Sequence, residues 1–172
     1  MIVADKEFQR IYLVGFMGSG KSYTGKLMAK ELNWQFVDLD DWLETHLGMT
    51  IAAYFSQQGE EAFRRQESEI LRQSIQFENT VIACGGGTPC FFDNMDWINA
   101  HGLSIYINID PELIAKRLQG EMEKRPLLQG LTQEGLLDFI QEKIKYREAF
   151  YRKADLTLAE WVKINGATNT YT

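Results

Sequence analysis

Gly15-Phe16-Met17-Gly18-Ser19-Gly20-Lys21-Ser22 places glycines ahead of a lysine and a hydroxyl. The run has the form G-x-x-x-x-G-K-[ST], a backbone cradle for nucleotide phosphates. Glycines let successive N–H groups turn toward phosphate oxygens without Cβ clashes. A helix opening at Lys21 would add the partial positive charge of its N-terminus. Lys21 would reach the outer phosphates, and the Ser22 hydroxyl would be a ligand for Mg2+. A chance glycine-rich turn would match the same string. The apolar run before it and the helical pattern after it argue against chance. Binding of Mg-nucleotide does not say what receives the phosphate.

Acceptor chemistry has several candidate carriers. Asp38 and Asp40 close a second apolar run, Gln35–Asp38, and extended alternation would point both to one side. One carboxylate could hold Mg2+ through water, and the other could take a proton from a substrate hydroxyl. Capping of a helix by Asp40 or Asp41 is the plainer alternative. Arg64 and Glu67 are three apart on a helical stretch. Spacing alone favours a surface pair worth about 0.2–0.5 kcal/mol over an oriented fork for a substrate carboxylate. Gly85-Gly86-Gly87 follows a third apolar run, as a flexible turn or as a close approach to a ligand. Arg125, in Lys124-Arg125-Pro126-Leu127-Leu128, could stabilise a transferring phosphoryl group from a closing lid. Arg147 reads by default as a solvated helix charge. His46 and His101 receive no role.

These residues need elements to hold them. Apolar runs at Ile11–Gly15, Gln35–Asp38, Thr80–Cys84 and Leu103–Ile109, with a weaker one at Asp155–Leu158, read as strands. Helical patterns lie between and after them at Lys21–Leu32, Ile51–Gln57, Glu60–Gln73, Asn94–His101, Pro111–Gln119 and Gln133–Arg152. Such alternation predicts a parallel sheet covered on both faces. Thr50, Asp93 and Asp110 stand where helix N-caps belong, and Gly102 where a helix should stop. Residues 120–132 lack periodicity and read as a mobile loop, and the composition of 163–172 reads as a polar tail.

A chain of 172 residues suits one domain spanning 1–172. Its net charge of −6 disfavours a general nucleic-acid binder. Cys84 and Cys90 form no CxxC pair, so a structural zinc site is not expected, and the two thiols fit a reducing cytoplasm. No apolar stretch is long enough to span a bilayer. A GTPase switch would carry N/T-K-x-D, but Arg152-Lys153-Ala154-Asp155 fails at its first position. A mechanical or DNA-acting ATPase would end its Walker B strand in carboxylates, and Thr80–Cys84 ends in glycines. A small-metabolite kinase fits best.

Taken in order, G-F-M-G-S-G-K-S, D-x-D, F-R-x-x-E, G-G-G and R-P-L-L resemble shikimate kinases from about Ile11 to Asp155. The resemblance implies a three-layer α/β P-loop fold with a five-stranded parallel sheet and a mobile lid. It implies transfer of the ATP γ-phosphoryl group to the 3-hydroxyl of shikimate, a step toward chorismate. Gly18, Ser19, Gly20, Lys21, Ser22, Tyr23, Arg117 and Arg125 would serve ATP, with Arg117 on the adenine side. Ser22, and Asp38 through water, would hold Mg2+. Asp40, Arg64, Gly85, Gly86, Gly87 and Arg147 would bind shikimate, with Glu67 orienting Arg64. Lys21, Asp40 and Arg125 would be catalytic. Shikimate and ATP are the expected partners, with no nucleic acid and no membrane, and a monomer is expected. Tyr23, where the family usually has Thr, Ala52-Ala53, Pro89 and the polar tail depart from the pattern. Gluconate kinase or another small sugar-acid kinase is the alternative enzyme. A nucleotide-dependent switch or regulatory paralogue is the non-enzyme alternative.

Overall fold

The computed structural model describes residues 2–3, 6–124, 128 and 130–166. Strands β1 (Ile2–Val3) and β2 (Lys6–Glu7) form a short antiparallel hairpin that the apolar pattern does not foreshadow. The main sheet then begins with β3 (Arg10–Val14), followed by helix α1 (Lys21–Leu32) and β4 (Gln35–Asp38). Helices α2 (Leu39–Leu47) and α3 (Ile51–Gln73) lead to β5 (Thr80–Ala83), and α4 (Asn94–His101) leads to β6 (Leu103–Tyr106). Next come α5 (Pro111–Leu118), a 3-10 turn at Gln119–Lys124, α6 (Gln133–Tyr151), β7 (Leu156–Thr157) and α7 (Leu158–Asn165).

The five strands lie parallel, as the alternation predicts, and their order is β4-β5-β3-β6-β7. β3 sits at the centre, with Ile11 level with Val81 on one side and Leu103 on the other. Its side chains alternate between two cores, because successive residues of a strand face opposite ways. Ile11 and Leu13 pack with Met28, Ala29 and Trp161 from α1 and α7. Tyr12 and Val14 pack with Leu71, Ile98 and Tyr151 from α3, α4 and α6. The result is three layers with apolar residues filling both gaps.

Several local expectations hold and several do not. Thr50 caps α3 by accepting from the Ala53 N–H, and Asp110 caps α5 by accepting from the Glu112 N–H. Asp93 makes no cap bond at α4; its carboxylate instead takes the Arg72 guanidinium. Gly102 ends α4 in extended backbone rather than a left-handed turn. The two helical patterns on either side of residues 58–59 are halves of α3, separated by a kink at Gly59 (φ 82, ψ 173). α2, the helix offered as the alternative at Asp40 or Asp41, starts two residues earlier than a cap at Asp40 would allow, at the residue after the strand with no loop to mark it. α7 reaches Asn165, so helix extends into the stretch that composition reads as tail. Its start is fixed by a reciprocal capping box between Thr157 and Glu160. The lid expectation meets the 3-10 turn at Gln119–Lys124, whereas Arg125 lies outside the described residues.

Candidate active site

Parallel strands deliver their carboxyl ends to one edge of the sheet, where ligands of such folds sit. Here the loops after β3 and β5 and the junction of β4 with α2 meet the end of α5, the 3-10 turn after it and Arg147 of α6. They enclose a cavity of about 680 Å3.

One half of the cavity is the phosphate loop. Gly15, Gly18 and Gly20 all take positive φ, a region from which Cβ excludes other residues. Gly20 begins α1 with no side-chain cap, so the first-turn N–H groups of the helix are left for a ligand. Lys21 Nζ donates to the carbonyls of Gly15 and Phe16 at 2.9 Å each, tying the start of the loop to the helix. Arg117 Nη1, from the last turn of α5, donates to the carbonyls of Gly18 and Ser19 at 3.4 and 3.2 Å. That contact places Arg117 against the loop backbone. Tyr23 is exposed at the cavity wall. Ser19 is buried with its hydroxyl unpartnered and does not line the cavity.

The Ser22 hydroxyl donates to Asp38 Oδ2, while Asp38 Oδ1 accepts the N–H of Asp40 at 3.0 Å. Asp38 therefore caps α2, a task the sequence suggested for Asp40 or Asp41. Asp40 is not on the strand; it lies in the first turn of α2, and both carboxylates still face the cavity. Burial, and then the Asp38 charge, raise the pKa of neighbouring Asp41, which marks this corner as crowded with negative charge. A hydroxyl and a carboxylate in contact form the all-oxygen donor set that suits Mg2+, an ion that keeps waters and phosphate oxygens as its other ligands.

The other half is built around Arg64. Its side chain and that of Glu67 are 6% and 4% exposed and meet at 2.9 Å, which overturns the surface-pair reading. Glu60 Oε1 accepts from Arg64 Nε and Nη2 at 3.4 and 3.3 Å. The guanidinium lies 4.2 Å from the Phe91 ring and 4.9 Å from the Phe63 ring. Glu67 also accepts the Thr88 hydroxyl at 2.7 Å, and Asn94 Nδ2 donates to the Thr88 carbonyl at 2.8 Å. Arg147, expected as a solvated charge, is 7% exposed, with its guanidinium 5.6 Å from the Phe16 ring of the phosphate loop.

Close packing explains the glycine triplet. A Cβ on Gly87 would lie 2.6 Å from Arg64 Nη1, and one on Gly86 would lie 2.9 Å from the Met17 nitrogen. A Cβ on Gly85 would meet Asp40 and Glu67 oxygens at 2.8 Å. The cavity thus joins every site residue read from the sequence except Ser19 and, outside the described residues, Arg125. Sequence reasoning missed Glu60, Thr88 and Phe91 around Arg64 and Glu67, and Ile51 and Phe55 of the apolar wall. The aromatic pair Phe91-Phe92, four residues after the last glycine of the triplet, was the available signal for Phe91. Burial raises the pKa of Cys84 on the cavity floor, and pushes that of Cys90 up to about 11, so both thiols stay protonated near neutrality.

Residues 17–163 match the family model described as shikimate kinase. The chain belongs to the shikimate kinase family. A shikimate kinase of Bacteroides fragilis is 42% identical over 146 residues, covering 85% of this chain and 82% of that protein. The crystal structure of a shikimate kinase from Bacteroides thetaiotaomicron superposes with a TM-score of 0.82 at 40% identity, covering 87% of this chain and 85% of that one. One from Acinetobacter baumannii, solved in complex with shikimate, also gives 0.82, at 29% identity over 95% and 96% of the two chains. Membership makes this chain a kinase with the P-loop fold. No helix among the described residues is long and apolar enough to cross a membrane.

Proposed function

We propose that this chain transfers the γ-phosphoryl group of ATP to the 3-hydroxyl of shikimate, giving shikimate 3-phosphate and ADP. The observation that carries this reading is the buried Arg64, held by Glu67 and Phe91 and facing the same cavity as the phosphate loop. A guanidinium desolvated and fixed this way is organised to take a planar carboxylate. Arg147 adds a second positive charge on the same cavity, so a substrate carboxylate is held by both.

The roles divide along the cavity. The amides of the loop and α1 receive the phosphates, and Lys21 exchanges its carbonyl contacts for their outer oxygens. Ser22 and Asp38 would hold Mg2+, which supplies charge neutralisation at the phosphates when bound. Asp40 orients the acceptor hydroxyl and accepts its proton. Gly85, Gly86 and Gly87 let the acceptor approach the backbone. Arg125 completes the charge stabilisation from the lid, and Arg117 keeps the loop in shape beside the nucleotide. Positioning and fixed charge supply most of the acceleration in phosphoryl transfer of this kind.

The test is ADP release from Mg·ATP with shikimate, gluconate, AMP or no acceptor. Release with shikimate alone is expected. Release with gluconate or AMP instead would keep the kinase and remove the carboxylate role of Arg64 and Arg147 in shikimate binding. ATP binding without acceptor-stimulated release would point to a regulatory protein.

A further inference from the structure

Gly86 and Arg147 face the cavity, but the side chain that joins them does not. Tyr151 lies one turn after Arg147 on α6 and is fully buried. Its Oη donates to the Gly86 carbonyl at 2.5 Å, the short end of the range for O–H···O bonds. On its other side Gly86 is packed against the Met17 amide of the phosphate loop. One hydroxyl therefore ties three segments together: the helix carrying Arg147, the glycine loop and, through Gly86, the phosphate loop. The ring is braced by Tyr106 at the end of β6, with centroids 5.3 Å apart. Burial raises the Tyr151 pKa, which keeps the hydroxyl a donor.

The bond also has a direction. No peptide in the described residues is cis, so the Gly87 N–H points opposite to the Gly86 carbonyl within one plane. With the carbonyl held toward Tyr151 in the core, the Gly87 N–H is turned away from it, and Gly87 lines the cavity.

We propose that Tyr151 is a positioning residue that sets the acceptor, through Gly86 and Arg147, at the right distance from the phosphate loop. This rests on the shikimate reading above.

Tyr151→Phe removes the hydroxyl and keeps the ring. The expected result is a rise of about tenfold in the shikimate KM and a severalfold fall in kcat, with the ATP KM within about twofold. Substituting Tyr151 with p-aminophenylalanine restores a donor and should recover most of the loss. A lower melting temperature with kcat and both KM values unchanged would make the hydroxyl purely structural and overturn the proposal. Equal rises in both KM values would overturn it too. If the Phe substitution prevents folding, 3-fluorotyrosine at Tyr151 alters the strength of the hydrogen bond while leaving the packing. A shifted shikimate KM then supports the proposal, and an unshifted one overturns it. Absence of shikimate-dependent ADP release in the unsubstituted protein would sink the functional reading and this inference together; the other failures sink only the inference.

Discussion

In the phosphate loop the groups that face a ligand belong to the backbone and to two adjacent side chains, Lys21 and Ser22. In the acceptor half they are side chains from distant segments, Asp40 from α2, Arg64 from α3 and Arg147 from α6. The loop presents open N–H groups, and its supports, Lys21 and Arg117, grip its own carbonyls. Arg64 is surrounded by Glu60, Glu67, Phe63 and Phe91, and Glu67 in turn by Thr88. Phosphate is a common, symmetric group that backbone amides grip well. A carboxylate on a small ring has to be held at one place and one angle, which takes charged side chains with their own supports.

The contrast predicts different failures on the two sides. Lys21→Ala should lower kcat by about a thousandfold, since it removes a fixed positive charge from the outer phosphates. Steady-state ADP release measures it, and a kcat within tenfold of the parent would remove Lys21 from the chemistry. Arg64→Ala should raise the shikimate KM by about a hundredfold and leave the ATP KM nearly intact. It should also cost about 3 kcal/mol of stability, because the Glu67 carboxylate is left buried without its partner. If ATP binding weakens and shikimate binding does not, the two halves have been assigned the wrong way round.

The glycine triplet sharpens the comparison at the seam. Gly87→Ala pushes on the Arg64 guanidinium, so it should raise the shikimate KM about tenfold and spare ATP. Gly86→Ala pushes on the Met17 backbone and should raise both KM values. Identical kinetic profiles for the two variants would show that the halves are not separable.

The smallest effect is set by alkaline pH. Burial pushes Cys90 from its ordinary 9.0 up to about 11, and Tyr12 from 10.0 up to about 12. Both groups hold their protons more tightly folded than unfolded, so stability is full below about pH 9 and falls as pH rises through the window to about 12. Near pH 10 the Cys90 part of the slope should be about 1 kcal/mol per pH unit. Urea midpoints measured from neutral to alkaline pH should show it, and Cys90→Ala should remove that part of the slope, leaving the parts from Cys84, Tyr12 and Tyr151, whose burial also raises their pKa values. A midpoint that holds steady across that range would mean the thiol ionises freely in the fold.

The same contrast governs what could be read from the sequence. A backbone site is written as one contiguous string, so Gly15–Ser22 and the strand and helix around it were legible at once. So was the alternation that built the sheet. The acceptor side was legible only as scattered fragments. Arg64 and Glu67 stand three apart whether the pair is buried or exposed, and what buries them, Phe91 and Thr88, comes more than twenty residues later. Their functional reading came from the order of motifs, not from their spacing. In Asp38-Leu39-Asp40-Asp41 the pattern leaves a strand end and a helix cap both open, because the cap and the strand share Asp38 and nothing separates β4 from α2.

The position of β3 also bears on how the protein is made. The strand that launches the phosphate loop pairs with β5 and β6, and its Leu13 sits level with Ala83 and Ile105. During synthesis the loop emerges early, but its strand has no neighbours in the sheet until those much later residues follow. Closing such long chain segments is slow compared with forming a helix. The nucleotide site, encoded ahead of its strand partners, is therefore completed late, and ATP can favour the folded state only after β5 and β6 have left the ribosome.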